Sequence, residues 1–306
     1  MLKLILIVSV LMSSVHSTAA LRVASYNIRN FDYDVRSHTP TNKLHLVKMI
    51  NEMQADIIAV QEINEKEEFK NMIIKNFAGS YKVKLSDCGG ANDQKLGFIY
   101  NTKKLSLLEF KEDLRTVNPN YNNQNQEQEQ GLCYTGSRPL AIGIFKNNTT
   151  NEKIVAIAVH LKAGGRPSNI RKRFKQHKVI STIVNEFHKS GFMNVIVMGD
   201  FNSTEYIYKG EEFERFKESV QAMDMADAAK DLKCSAYWWG GSRDSKQHPS
   251  ALDHILISNN LLNGKTPKLH SYGHCKKLNC KATFEENMGV SFDEVSDHCP
   301  ILAEIE

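Results

Sequence analysis

The sequence predicts an α/β (α+β) domain of stacked β-sheets covered by helices. Short apolar segments of strand length outnumber amphipathic segments of helical period, several strands follow one another directly, and no internal repeat or linker divides the chain. In chain order the strands are RVASYNI (22–28), DIIAVQ (56–61), GFIY (97–100), LAIGIF (140–145), KIVAIAVH (153–160), NVIVMG (194–199), HILIS (254–258) and PILAEI (300–305). Helices follow from apolar residues three and four apart: Leu46, Ile50 and Met53; Phe69, Ile73 and Phe77; Phe213, Phe216, Val220 and Met223. A longer helix runs from Ser168, as N-cap, to Ser190, with Ile180, Ile183, Val184 and Phe187 inward. The stretch NPNYNNQNQEQEQ (118–130) has one apolar residue, Tyr121, and reads as a solvated loop.

Residues 1–20, MLKLILIVSVLMSSVHSTAA, have the build of a secretory signal peptide. Lys3 is followed by an apolar run from Leu4 to Met12 and then by small residues, with cleavage expected between Ser17 and Ala20. That run is too short to span a bilayer, and no later segment offers about 18 apolar residues in succession. The expectation is an exported protein, periplasmic or extracellular, without a stable membrane anchor, monomeric, with one domain over 21–306. At 41% hydrophobic it can bury a substantial core, and a net charge of 39 − 35 = +4 is only mildly basic. Any partner must therefore be inferred from where the charge sits.

Export permits disulfides among the six cysteines, Cys88, Cys133, Cys234, Cys275, Cys280 and Cys299. HSYGHCKKLNC (270–280) also sets His270, His274, Cys275 and Cys280 at spacings a zinc site could use. An oxidising compartment favours disulfides, either Cys275–Cys280 or a link to Cys234, with Cys299 as a free buried thiol against a core strand.

Polar residues gather at strand ends. In NVIVMGDFNS (194–203), Asp200 and Asn202 follow an apolar strand at once; alone, such a pair makes a turn. The pattern recurs, however. Asn27 ends RVASY, Glu62 follows DIIAVQ, His160 ends IVAIAV, Asp253 precedes HILIS, and Asp297 and His298 precede CPILAEI. Strands of opposite direction bring such ends and beginnings to one rim. Glu62, Asp297, Asn27, Asp200 and Asn202 are hard oxygen donors, suited to Mg²⁺, Mn²⁺ or Ca²⁺, and His160 and His298 can move protons near neutral pH. With no Gly-x-Ser-x-Gly elbow and no histidine cluster for catalytic zinc, the set points to metal-assisted attack of water on a phosphate ester.

ASYNIRNF, DIIAVQEI, AVHLKAG, VMGDFNS, ALDHILIS and VSDHCPILAEI resemble the successive motifs of the endonuclease/exonuclease/phosphatase superfamily, the deoxyribonuclease I-like fold. They stand in that family's order over nearly the whole mature chain. The resemblance implies a four-layer αββα sandwich, two mixed β-sheets with helices outside. It also implies roles. Glu62 and Asp297 hold the catalytic Mg²⁺ (or Mn²⁺ or Ca²⁺) with Asn27 beside them, and Asp200 and Asn202 position water and a phosphate oxygen. His298, held by Asp253, is the general base, and His160 contacts the scissile phosphate or assists the leaving group. Arg138, in GSRPLAIGIF, matches a position where a guanidinium grips phosphate. Family members carry Tyr or Glu ahead of the GFIY strand to support the first histidine or the phosphate; here NDQKLGFIY offers Gln94 or Lys95 instead.

Two segments bear on the substrate. RPSNIRKRFKQHK (166–178) has six Lys/Arg and no acid, and follows directly on His160. It is either a solvated helix face or a surface that tracks phosphates with Arg171, Arg173 and Lys175. YWWGG (237–241) resembles a segment that shapes the substrate face of abasic-site endonucleases; its Tyr-Trp-Trp either stacks on a base or packs between sheets. Asn202 heads the sequon NST, so the proposed site requires that it be buried or unglycosylated. The reading is an exported metal-dependent nuclease acting on DNA. The alternative on the same scaffold is a sphingomyelinase-like or inositol-phosphate phosphodiesterase or phosphatase.

Overall fold

The structure, a computed structural model, describes residues 20–34, 39–121, 131–204 and 206–306. The signal-peptide reading, apart from Ala20, and most of the glutamine-rich loop (122–130) lie outside the described residues.

Strands are numbered in chain order. One six-stranded sheet runs β15 (Lys268–Ser271), β17 (Ile301–Ile305), β1 (Leu21–Phe31), β4 (Ile57–Ile63), β6 (Lys95–Asn101), β5 (Tyr81–Leu85). The second runs β11 (Met225–Asp227), β14 (Asp253–Ser258), β10 (Val195–Asp200), β9 (Lys153–His160), β8 (Leu140–Asn147), β7 (Leu105–Asp113). Both are mixed: β1 pairs parallel with β4 and antiparallel with β17, and β10 parallel with β9 and antiparallel with β14. A small sheet, β12 (Ala236–Trp239), β13 (Lys246–Ser250), β16 (Thr283–Phe284), stands at one end, and β2 (Tyr33–Asp34) pairs with β3 (Thr39–Pro40).

Helices α1 (Lys43–Met53) and α2 (Lys66–Phe77) cover the first sheet, and α3 (Pro167–Lys189) and α4 (Glu211–Ala222) the second; α5 (Asn259–Leu262), α6 (Gly273–Leu278) and α7 (Val290–Asp293) are short. The four-layer αββα sandwich is therefore present. Its central strands read as unbroken apolar runs because both faces are buried. In β10, Ile196 and Met198 enter the layer between the sheets while Val195 and Val197 lie under the helices; β4 divides Ile57 and Ala59 from Ile58 and Val60 in the same way. Between the sheets, small residues such as Ala59, Ala141, Ala156 and Ala158 interdigitate with Phe98 and Phe145, whose rings meet edge-on at 5.6 Å.

Three sequence expectations change. The helix after His160 starts at Pro167, not Ser168, with Arg166 as N-cap; proline suits the first helical position because its missing N–H has no partner there. The bridges are Cys88–Cys133, Cys234–Cys280 and Cys275–Cys299, so Cys275–Cys280 does not form and Cys299 is not free, while the link to Cys234 is found. Cys275 lies on α6, beside Cys299, and Cys280 lies past the helix end toward Cys234. With both thiols consumed, the zinc alternative at 270–280 has lost its sulfur ligands. Among the described residues no helix is long and apolar enough to cross a membrane.

Candidate active site

The rim anticipated from the strand ends exists. In the second sheet Asp200 stands opposite His160 of β9 on one side and Asp253 of β14 on the other, so three chemically active residues form one row. Gly199 makes the row possible. Its φ is 150°, and a Cβ there would lie 2.1 Å from the carbonyl oxygen of Val159, so only glycine lets β10 approach β9 so closely. From the facing sheet come Asn27, at a register shift in β1, and Glu62, at a register shift in β4. Glu62 (φ 62°) and Asn202 (φ 53°) both sit in left-handed backbone, an uncommon conformation for these side chains that concentrates at functional sites.

The groups converge on Asp200. Its Oδ2 accepts from Asn27 Nδ2 at 3.1 Å and lies 3.4 Å from His160 Nε2 and 3.7 Å from His298 Nε2. Its Oδ1 accepts from the backbone N–H of Asn202 at 2.9 Å. Asn27 Nδ2 also reaches Glu62 Oε1 at 3.1 Å, and His160 Nε2 is 3.6 Å from the same oxygen. His298 Nδ1 meets Asp253 Oδ2 at 2.8 Å. Asn202 is buried and its Nδ2 donates to the Leu161 carbonyl at 3.2 Å, so the nitrogen a glycan would need is engaged inside the protein. Arg138 donates to Gln94 Oε1 and lies near enough to act on the charges of Glu62 and His160.

Electrostatics set the groups apart. Burial, and then the charge of Asp297, raise Glu62. Burial raises Asp200 to about 7 against the lowering effect of His298. His160 is held well below its ordinary value by burial and then by Arg138, so its imidazole is neutral. Burial alone would lower His298, but the Asp253 and Asp200 carboxylates outweigh it and hold His298 well above. Glu62 and Asp297 thus repel one another in a mostly buried site, an arrangement that a bound cation would reverse. The donors are oxygens, as hard divalent ions require. The ligand atoms of Asp200, Asp253 and His298 also lie within 4.8 Å of one another, but the Nδ1 of His298 already serves Asp253.

Two expectations fail here. Neither Gln94 nor Lys95 orients His160: Gln94 Nε2 donates to Asn30 Oδ1 at 2.7 Å, and Lys95 pairs with Asp93 at 2.6 Å. Among the described residues the Nδ1 of His160 has no hydrogen-bond partner. Arg173 is not a surface phosphate ligand. It is fully buried, pairs with Glu212 (Nη2 to Oε2, 2.8 Å), and donates to the carbonyls of Lys162 at 2.7 Å and Gly164 at 2.9 Å and to Thr204 Oγ1 at 3.1 Å. It pins the loops that follow His160 and Asn202. Arg171 and Lys175 are exposed on the same helix and, with Lys172, line a groove of about 410 Å³ against residues 115–119.

The sequence reading also misses two buried hydroxyls. Ser296 Oγ donates to the Asn27 carbonyl at 2.7 Å and accepts from His298 N at 3.0 Å, which joins the His298 loop to β1. Ser235 Oγ accepts from the N–H groups of Leu252 and Asp253 at 3.0 and 2.9 Å and sets the start of β14. The serine in VSDH is the one signal that could have exposed the first of these.

No family model matches the chain, and no curated protein matches it by sequence. Solved structures match its shape. An endonuclease/exonuclease/phosphatase family protein from Bacteroides thetaiotaomicron superposes with a TM-score of 0.63 at 18% identity, over 94% of each chain. A mannosyl-6-phosphatase from the same organism gives 0.60 at 17% identity, over 93% of this chain and 98% of the other. D. rerio TDP2 complexed with a single-strand DNA product gives 0.59 at 16% identity, over 94% and 99%. By layer order and by these superpositions, the chain has the endonuclease/exonuclease/phosphatase fold, the deoxyribonuclease I-like architecture its motifs resemble.

Proposed function

We propose that the chain is an exported, divalent-metal-dependent phosphodiesterase that hydrolyses DNA. The observation that carries this reading is the single rim on which Glu62, Asp200 and Asp297 face two histidines in different states, one neutral and one paired with a buried aspartate. Glu62 and Asp297, with Asn27 beside them, would hold Mg²⁺, or Mn²⁺ or Ca²⁺. Such an ion supplies Lewis acidity and takes up negative charge as it develops on the phosphate.

The chain's own residues account for the rest. Asp253 accepts a hydrogen bond from His298 Nδ1–H, which fixes the ring and turns Nε2 to the Asp200 side; with the surrounding carboxylates offset by a cation, His298 would be lowered again, leaving Nε2 to take a proton from water. Asp200 and Asn202 position that water and a phosphate oxygen. His160, neutral, offers a hydrogen bond to phosphate without adding charge, and Arg138 grips a second oxygen through its fork of donors.

DNA is favoured over a small ester by Arg171, Lys172 and Lys175 beside the α3 groove and by the single-strand DNA product in the D. rerio TDP2 structure. Export is supported by the apolar leader and the three disulfides. The mannosyl-6-phosphatase of the same fold favours a second reading, a small phosphate ester. Purified protein incubated with plasmid, single-stranded DNA, RNA, sphingomyelin and sugar or inositol phosphates, with and without EDTA, tests both. EDTA-sensitive cleavage of DNA supports the first reading. Turnover of a small ester alone replaces it with the second, and EDTA-resistant turnover removes the metal from either.

A further inference from the structure

We propose that the groove along the open edge of the sandwich, between β11 and β15, binds a free alkyl carboxylate of fatty-acid type. Its alkyl chain lies against the layer between the sheets and its carboxylate among lysines.

The groove follows from how the two sheets end. β11 is the outermost strand of the second sheet and β15 that of the first. Along this edge the layer between the sheets reaches the surface. Ala226 of β11, Ala228 just beyond it, Leu232, and Leu269 of β15 are half-buried, and all four pack on the core that fills the layer. The segment MADAAK (225–230) sets alanines where larger side chains would close the gap. The result is a groove of about 760 Å³, within the size range of small-molecule sites, walled by Phe213 and Val220 of α4 and by Cys275 of α6.

The charge of the rim selects the ligand. Lys217, Lys230, Lys233, Lys265 and Lys276 line the groove, and all five are exposed. Lys217 pairs with Glu214 at 3.3 Å; among the described residues the other four have no carboxylate within ion-pair distance. Two aspartates also line the groove. Asp227 is engaged inward, accepting from the Tyr206 hydroxyl at 2.7 Å and meeting His254 Nδ1 at 3.0 Å, and Asp231 is exposed. Positive charge therefore prevails. An apolar floor under a cationic rim suits a molecule that is apolar along its length and anionic at one end. The chain leaves water, and the head stays at the surface beside the ammonium groups. A nucleic acid could use the rim but not the floor.

This is a separate site. None of Asn27, Glu62, His160, Asp200, Asp297 and His298 lines the groove. β11 pairs with the far half of β14, Met225 with Ser258 and Asp227 with Leu256, whereas Asp253 of the reaction rim begins that strand. Binding here does not depend on what that rim hydrolyses.

Isothermal titration of the full mature chain in EDTA, with sodium dodecanoate below its micelle concentration, provides the test. Saturable one-to-one binding is expected, about fourfold tighter for each methylene added from decanoate to dodecanoate, and weakened by salt. Dodecyltrimethylammonium, with the same chain and the opposite charge, should bind at least about tenfold more weakly. Combining Lys230→Gln, Lys233→Gln and Lys265→Gln changes exposed side chains alone, which keeps the fold, and should weaken dodecanoate binding about tenfold. Leu232→Asp sets a like charge in the floor and should abolish it. Absence of dodecanoate binding overturns the proposal, as do equal affinities for the anion and the cation or an unchanged affinity in the lysine variant. Binding to phosphatidylglycerol vesicles without binding of monomeric dodecanoate also overturns it and makes this edge a membrane-facing surface. A dimer that Leu232→Asp dissolves, with no dodecanoate bound, overturns it in favour of a second copy of the chain.

Discussion

The Nδ1 of His298 lies 2.8 Å from Oδ2 of Asp253, and both residues are buried. The pair spans two elements: Asp253 opens β14, and His298 ends the loop before β17 of the facing sheet. A base held this way has its tautomer and its ring plane set before substrate arrives. Replacing His298 by Ala should cost at least about a hundredfold in kcat. Asp253→Ala should reproduce part of that loss, and the double variant should be little worse than His298→Ala, because a pair that works as a unit is not additive. Independent, additive losses in steady-state kinetics would separate Asp253 from His298.

Glu62 and Asp297 suit a cation because their mutual repulsion in a mostly buried site needs one to relieve it. Two readouts follow. Glu62→Gln and Asp297→Asn should each remove most activity, since loss of the ion's stabilisation of the transition state amounts to several kcal/mol. Mg²⁺ should raise the Tm of the wild type, as any ligand of the native state does, and raise that of the variants far less. Calorimetry in EDTA should show the variants no less stable than the wild type. A variant with near-normal turnover at saturating Mg²⁺ would remove its residue from the site.

A separate pH effect is built into the helix layer. Burial, then the charges of Arg173 and His254, push His177 down to about 3 from 6.5. Its ring stacks on Phe201 at 5.9 Å and meets Phe216 edge-on. Above pH 6.5 both folded and unfolded chains hold it neutral, and its contribution to stability is fully present. Between 6.5 and about 3 the unfolded chain takes a proton that the folded chain refuses, so stability falls with pH by about 1.4 kcal/mol per unit. His177→Gln should therefore flatten the loss of unfolding free energy between pH 6.5 and 4.5 by roughly 2–3 kcal/mol. Denaturant titrations at those two pH values measure it, and an unchanged slope would mean that His177 is protonated in the folded protein.

Legibility of the sequence follows burial. DIIAVQ and NVIVMG read as strands because two covered faces demand apolar residues at every position, and their polar ends stand out against that background. Edge strands do not announce themselves. In β5, Tyr81–Leu85, lysines alternate with apolar residues because one face looks outward, and β7, Leu105–Asp113, carries charges for the same reason. Arg173 shows how a charge run misleads. Its neighbours Arg171 and Lys175 are exposed, yet His177 and Gln176, one turn before the apolar Ile180, and Arg173, two turns before it, are all buried. Helical period points Arg173 inward, and Glu212, the partner that makes this tolerable, lies 39 residues on in another helix. Local sequence contains no trace of that pairing. The disulfides are similar, since Cys275 and Cys280 are near in sequence while α6 points them to different partners.

The buried ion pair gives a prediction of opposite kind to the surface charges. Arg173→Ala leaves Glu212 buried without its partner, a loss of about 3–5 kcal/mol in unfolding free energy. Arg173→Ala with Glu212→Ala should be less damaging than the sum of the two single changes, because neither charge is then stranded. Chemical denaturation of the three variants tests this, and a small loss for Arg173→Ala would place Glu212 in contact with water.

Arg171 and Lys175 are the exposed basic residues of this run on which the nucleic-acid reading stands, with the half-buried Lys172 beside them. They are exposed, four residues apart on α3, and so lie on one face of the helix beside the groove formed with residues 115–119. Replacing both with Gln leaves the Arg173 clamp, the metal ligands and His298 in place. DNA binding in EDTA should weaken, and the slope of log K against log[salt] should flatten by about 0.9 for each duplex phosphate no longer neutralised, or about 0.7 on a single strand. Hydrolysis of bis(p-nitrophenyl) phosphate should be preserved, because a small diester does not reach along α3. A solvated helix face predicts neither change in DNA binding. Unchanged affinity together with an unchanged salt slope would take α3 out of the substrate path and shift the balance toward the small phosphate ester.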